Sequence, residues 1–249
     1  MTGMGTLGRV LECQVWWARR EDVRPWHVDL LNDTERARRD RYRREADRDR
    51  FTVGVAVTRL AAGALLGVRP ERVPVDRTCP GCGAPHGRPV IEGGPQLSVS
   101  HSGDLVVVAL SRGGPVGVDV EQDSGRLGEG IVRQLLGSEE VADLRDLGAA
   151  WLRRGLLTYW TRKEAVVKAT GDGLRVPLTD VRVSAPDEPP RLLSWKGRRD
   201  LPGRMTLRTL APGPGYAACL ALIDQPDPVI VERSASPGLA EPGSWDAGQ

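Results

Sequence analysis

The chain has 249 residues and a mass of 27.0 kDa, enough for one large domain or two small ones with a real core. Its 35 basic and 33 acidic residues leave a formal charge of +2, so no global field demands a polyanionic partner. No segment approaches the roughly 20 apolar residues of a membrane span, and Met1 to Arg20 lacks the layout of a secretory signal. The expected address is therefore the cytoplasm, with Cys13, Cys79, Cys82 and Cys219 held as thiols unless Cys79 and Cys82 bind metal.

In chain order, Leu11 to Ala18 reads as a strand, and Asn32 or Asp33 caps a helix from about Thr34. Glu35 to Arg50 is dense in arginine. A helical pattern resumes through Val53, Val57, Leu60, Leu65 and Leu66, with Gly67 as its stop. Arg77 to Pro89 reads as a loop. Leu97–Ser100 and Leu105–Leu110 read as two strands joined by the tight turn His101-Ser102-Gly103-Asp104. Gly113-Gly114-Pro115 punctuates the chain before a further strand. A helical region starts near Ser138 and reaches Trp160–Thr170, ended by Gly171. Strands follow at Val181–Ser184, Arg191–Trp195, Met205–Leu210 and Tyr216–Leu222. From Gln225 onward Pro, Gly, Ser and acids dominate, which predicts a mobile tail. The layout is helix-then-strands twice over: an N-terminal half, 1–113, a C-terminal half, 114–224, and the tail, 225–249.

Two segments carry chemistry. In Gly117-Val118-Asp119-Val120-Glu121, strand alternation aims the Asp119 and Glu121 carboxylates at one side while Val118 and Val120 bury the other. In Trp160-Thr161-Arg162-Lys163-Glu164-Ala165-Val166-Val167-Lys168, helical spacing stacks Trp160, Glu164 and Lys168 in a row. The bland alternatives are a solvated sheet face and a surface Glu–Lys pair. Lysine usage argues against them: lysine occurs only at Lys163, Lys168 and Lys196, and two of the three flank Glu164. A lysine can move its pKa and give up a proton where arginine cannot. Three carboxylates and an ammonium suit a hard cation and a phosphate.

Other candidates weigh less. Ser100-His101-Ser102-Gly103 admits a satisfied turn histidine or a phosphate grip; without a Gly-x-Ser-x-Gly elbow a Ser-His-Asp hydrolase is disfavoured. Cys79-Pro80-Gly81-Cys82 with His86 has half of a zinc-site spacing, and only His27 offers itself as a fourth ligand. A loop that merely uses small residues is the stronger reading. The Arg-rich stretch is offset by Glu35, Asp40, Glu45, Asp47 and Asp49, as in a salt-bridged solvated helix.

Taken together and in order, Ser-His-Ser-Gly, Gly-Val-Asp-Val-Glu and Trp-x-x-Lys-Glu-Ala-x-x-Lys-x-x-Gly resemble the 4′-phosphopantetheinyl transferases, and the layout is similar to their Sfp-type branch, which serves polyketide and nonribosomal peptide synthases. The resemblance spans roughly Val15 to Ile223 and is loose in its N-terminal part. It implies an α/β (α+β) pseudo-dimeric fold, each half a long helix on an antiparallel sheet, with coenzyme A in the cleft between halves. It implies Mg²⁺ held by Asp119, Glu121 and Glu164, with Glu164 helping to deprotonate a carrier-protein serine and Lys168 serving the leaving phosphate. Coenzyme A would be gripped by Ser100, His101 and Arg88 (where relatives often carry Lys), with Lys163 and Lys168 also binding it and Arg38 and Arg50 as looser choices. The implied partners are coenzyme A and apo acyl or peptidyl carrier proteins, with no nucleic acid or membrane, for a monomer. A Mg²⁺-dependent phosphohydrolase and an arginine-based nucleic-acid module remain as alternatives from other classes.

Overall fold

The computed structural model describes residues 12–124, 129–146 and 149–246. Strand β1 (Glu12–Arg19) leads through two short 3-10 turns to helix α1 (Asp33–Asp40). The start of α1 is fixed by a reciprocal pair of 2.9 Å bonds: Asn32 Oδ1 accepts the Glu35 N–H, and Glu35 Oε2 accepts the Asn32 N–H. Helix α2 (Glu45–Leu66) follows and stops at Gly67. Every residue from Phe51 to Gly63 is buried, because the helix is covered on more than one side. A small ribbon of β2 (Val75–Asp76) and β3 (Val90–Ile91) brackets the 77–89 loop. The hairpin β4 (Gln96–Ser102) and β5 (Leu105–Ser111) completes the first half. His101 and Ser102, expected in the turn, are the last residues of β4, and Gly103-Asp104 alone makes the turn.

The second half runs β6 (Val116–Gln122), α3 (Glu129–Leu135), α4 (Ser138–Asp146), α5 (Ala149–Thr170), β7 (Val181–Val183), β8 (Leu192–Trp195), β9 (Met205–Thr209) and β10 (Tyr216–Ile223). Its sheet has the order β6-β10-β9, all antiparallel. Like α2, α5 is 22 residues long and lies on the sheet of its own half. The two halves are thus built alike, a long helix on a sheet whose core strands run antiparallel.

Strand alternation produces a helix–sheet–sheet–helix stack. Trp16, Ala18, Val106, Val108 and Leu110 face α2. Their neighbours Val15, Val107 and Ala109 face the other sheet and meet Val116, Val118, Val120, Leu220 and Leu222 in a shared core. Cys219, Ala221 and Ile223 of β10 turn the opposite way, toward α5. Central strand β5 is buried along its whole length because both of its faces are covered. Each Val or Leu so buried stabilises the fold by about 1.5–3 kcal/mol. Among the described residues no helix is long and apolar enough to cross a membrane.

The segment after Gln225 corrects the sequence expectation of a mobile tail. It forms β11 (Val229–Ser234) and α6 (Ser236–Ala240). β11 pairs parallel with β1, giving the order β11-β1-β5-β4. Trp17 Nε1 donates to Glu232 at 2.8 Å, Leu239 is fully buried, and Trp245 packs against Trp16 with ring centroids 4.5 Å apart. The polar composition belongs to the outer face of this segment. A few apolar residues, spaced too widely to form a periodic signal, anchor the rest.

Candidate active site

The site is assembled where the two halves meet, between β4, β6 and α5. Gly117 sets the approach of α5 to β6. A Cβ there would lie 2.0 Å from the Ala165 carbonyl oxygen and 2.4 Å from the Ala169 nitrogen, so only glycine allows the helix to sit this close. On the same face of β6 as Gly117 come Asp119 and Glu121, while the intervening valines enter the inter-sheet core.

The seam between the halves is closed by serine hydroxyls. Ser98, Ser100 and Ser102 alternate along β4 and accept the N–H groups of Val118, Val120 and Gln122 at 3.0, 3.5 and 3.1 Å. Two of these hydroxyls also donate to the carboxylates: Ser100 Oγ to Asp119 Oδ1 at 2.8 Å, and Ser102 Oγ to Glu121 Oε2 at 2.6 Å. From α5, Lys168 Nζ donates to Asp119 Oδ1 at 2.6 Å, Ser100 Oγ at 2.9 Å and the Val118 carbonyl at 3.2 Å. Asp119 is 3% exposed, and its Oδ2 is buried with no hydrogen-bond partner.

The charges of this cluster act on one another. Burial pushes the Glu121 carboxyl up to about 7, against its bond from Ser102 and with the help of the Asp119 charge. Burial, then Asp119, also raises Glu164, one helical turn before Lys168. Three carboxylates within electrostatic range of one another in a partly dry site, one with an orphaned oxygen, form a donor set for a hard divalent cation. The residues present therefore fit Mg²⁺.

The 4′-phosphopantetheinyl transferase superfamily model matches residues 115–218. HetI, a 4′-phosphopantetheinyl transferase of Nostoc sp., is 31% identical over 170 residues, covering 65% of this chain and 68% of HetI. This chain belongs to the 4′-phosphopantetheinyl transferase family. A phosphopantetheinyl transferase of Thraustochytrium sp. is 30% identical over 202 residues, covering 74% of this chain and 68% of its own. Among solved structures, the holo-[acyl-carrier-protein] synthase of Thermotoga maritima overlays 45% of this chain and 63% of its own, at 24% identity and a TM-score of 0.38.

In this phosphopantetheinyl transferase the remaining candidate residues divide. Arg88 lies at the end of α5, with Nη1 on the Lys168 and Ala169 carbonyls at 3.3 Å and Nη2 on Gln96 at 2.8 Å. His101 is within electrostatic range of Arg50 and Lys168. Arg50 itself holds the hairpin turn, donating to the Gly103 carbonyl at 2.6 Å and pairing with Asp47. Arg38 sits apart on α1, over the Phe51 ring at 5.6 Å, with one buried guanidinium nitrogen unpartnered. It lines a cavity of about 460 Å³ with Arg41, Tyr42 and His86.

Lys163 is a correction. It is fully buried, and its Nζ is consumed by Glu140 at 2.5 Å and the carbonyls of Leu135 and Leu178 at 2.6 and 3.0 Å. Helical geometry explains this, since a neighbour of Glu164 points about 100° away from it. In the Arg-rich stretch, Glu35 forms a buried pair with Arg59 of α2 at 2.8 Å, and Arg39 pairs with Asp40 at 3.1 Å.

Sequence reasoning missed the serine seam and Gln96. The Ser-x-Ser-x-Ser alternation across positions 98–102 was the signal for the seam; nothing in the sequence marked Gln96 as the partner of Arg88.

Proposed function

We propose that this enzyme transfers the 4′-phosphopantetheine group of coenzyme A to a serine of an apo acyl or peptidyl carrier protein, releasing adenosine 3′,5′-bisphosphate, in a Mg²⁺-dependent reaction. The observation that carries this reading is that Asp119, Glu121, Glu164 and Lys168 lie within electrostatic range of one another, with Lys168 bound to Asp119 Oδ1 and the buried Asp119 Oδ2 left without a hydrogen-bond partner. Asp119, Glu121 and Glu164 would hold Mg²⁺, which when bound supplies charge neutralisation at a pyrophosphate.

The chain's own groups complete the reaction. The carrier serine oxygen attacks the phosphorus on the pantetheine side of the coenzyme A pyrophosphate, and the bond from that phosphorus to the bridging oxygen breaks. Glu164, its carboxyl raised by burial, accepts the serine proton. Lys168 compensates the charge that develops on the departing adenosine 3′,5′-bisphosphate. Ser100 and Ser102 keep the carboxylates aimed, and Arg88 and His101 bind phosphate oxygens.

Intact-mass measurement of an apo carrier protein incubated with this protein, coenzyme A and Mg²⁺ tests the reading. The expected result is a gain of one phosphopantetheine, abolished by chelator. No gain across several carrier types, with coenzyme A hydrolysed in the same tubes, would replace the transferase with a hydrolase.

A further inference from the structure

The loop between β2 and β3 lies outside the machinery described so far, yet it gathers three metal-ligating side chains. Cys79 Sγ, Cys82 Sγ and a His86 ring nitrogen all fall within 4.8 Å of one another, and Cys82 Sγ lies 2.9 Å from His86 Nε2. A tetrahedral site with Zn–S near 2.3 Å and Zn–N near 2.0 Å needs ligand atoms about 3.5–3.8 Å apart. Small side-chain rotations bring these three to that spacing.

The backbone is folded to hold them. The Gly83 N–H donates to the Cys79 carbonyl at 2.8 Å, and the Cys79 N–H to the Ala84 carbonyl at 2.9 Å. Gly83 takes φ +72°, a left-handed position a bulkier residue would resist, and so turns the chain straight after Cys82. The neck of the loop is closed by Gly87 N–H on the Arg77 carbonyl at 2.7 Å. His27, the fourth ligand considered from sequence, is buried elsewhere, with Nε2 on the Leu239 carbonyl and Nδ1 accepting the Arg24 N–H. Among the described residues no fourth His, Cys, Asp or Glu joins the three.

We propose that Cys79, Cys82 and His86 bind one Zn²⁺ ion in a three-ligand site with its fourth position open to solvent. Two thiolates and an imidazole in tetrahedral array select zinc over the hard cations that suit the carboxylate cluster. Cys82 and His86 are exposed, so the site loads without opening the core. Arg88 is two residues beyond His86 and rests on the end of α5, so the ion pins the loop at the root of an active-site arginine.

The test uses untagged full-length protein grown with zinc, desalted, and assayed for metal by mass spectrometry, beside Cys82→Ser and His86→Gln. Wild type should carry one zinc per chain, and each variant should lose affinity by more than the ~10–100-fold that an outer-shell change costs. Cobalt(II) added to metal-free wild type should give thiolate charge-transfer bands with intense tetrahedral d–d bands, absent in Cys82→Ser. Equal zinc content in wild type and Cys82→Ser would overturn the proposal, as would a weak octahedral cobalt spectrum without thiolate bands. Neither readout depends on turnover, so the site stands or falls separately from the transferase assignment.

Discussion

Ser102 Oγ donates to Glu121 Oε2 at 2.6 Å while accepting the Gln122 N–H at 3.1 Å. One hydroxyl therefore closes the seam between the halves and fixes a carboxylate of the site. Ser102→Ala removes both bonds without filling the space. We expect a roughly 10–100-fold loss of apparent Mg²⁺ affinity, the usual cost of losing an outer-shell partner. A magnesium titration of carrier-protein modification reads this directly, and an unchanged curve would leave Ser102 with a purely structural part.

Lys168 and Asp119, 2.6 Å apart, lead to a second expectation. Lys168→Arg keeps the charge but cannot match a point ammonium shared among Asp119, Ser100 and the Val118 carbonyl, nor release a proton. Turnover should fall by at least about 10²-fold, as it should for Glu164→Ala and Asp119→Ala, with circular dichroism unchanged. Near-normal kcat in Lys168→Arg would confine Lys168 to a charge role, and near-normal kcat in both carboxylate variants would remove the site assignment.

Glu121 makes metal-free stability depend on pH. Its folded pKa, about 7, lies above its ordinary 4.5, so the folded state prefers the protonated form. The resulting destabilisation is absent below about 4.5, grows as pH rises and is complete above about 7. In chelator, Glu121→Gln should therefore gain stability over wild type at pH 8 and little at pH 4.5, by on the order of 1–3 kcal/mol at the higher pH. Urea unfolding at the two values checks this. A constant difference between the proteins would show that Glu121 ionises freely in the fold.

Lys163 and Glu140 form a buried pair, 0% and 2% exposed at the side chain. Glu140 also accepts the Gly137 and Val183 N–H groups at 3.0 and 3.1 Å, so the pair ties α4, α5 and β7 together. Lys163→Met leaves that carboxylate uncompensated and should cost about 3–5 kcal/mol, part of it recovered by adding Glu140→Gln. The folded fraction should keep the wild-type KM for coenzyme A. A raised KM at unchanged stability would return Lys163 to the cofactor site.

Gly117→Ala should separate α5 from β6, since the new methyl meets helix backbone on both sides. Overpacking of this kind costs typically 1–3 kcal/mol, and more where backbone must move. The expected result is a lower Tm together with a kcat loss larger than the change in coenzyme A affinity, because Glu164 and Lys168 ride on the displaced helix. A variant with normal Tm and normal kcat would show that the helix is not held at this distance.

Much of this was legible in the residues. Helix α2 with its Gly67 stop, the β4–β5 pair and the Asp119/Glu121 alternation follow from apolar runs and punctuation: Gly67 ends α2 in a left-handed φ, Gly103-Asp104 separates the two strands, and the carboxylates alternate with buried valines. Glu164 and Lys168 came from helical spacing and the rarity of lysine. Lys163 was misassigned because composition flags a lysine without saying which face it takes, and α5 is covered on nearly all sides. Cys79, Cys82 and His86 showed in the sequence as half of a zinc-site spacing, but only the backbone of the loop brings their ligand atoms within 4.8 Å of one another. The tail was misread because the pairing of β11 with β1 joins residues more than two hundred positions apart, and no local pattern records a partner at that distance.

That pairing also sets an order of events during synthesis. Among the described strands β11 leaves the ribosome last, yet it lies beside the first of them. Until then β1 has a bare backbone edge, the kind that invites pairing with a neighbouring chain. The nascent protein must wait until β11, more than two hundred residues further along, is made to seal that edge, and faster translation or chaperone cover over the interval should raise the yield of native enzyme.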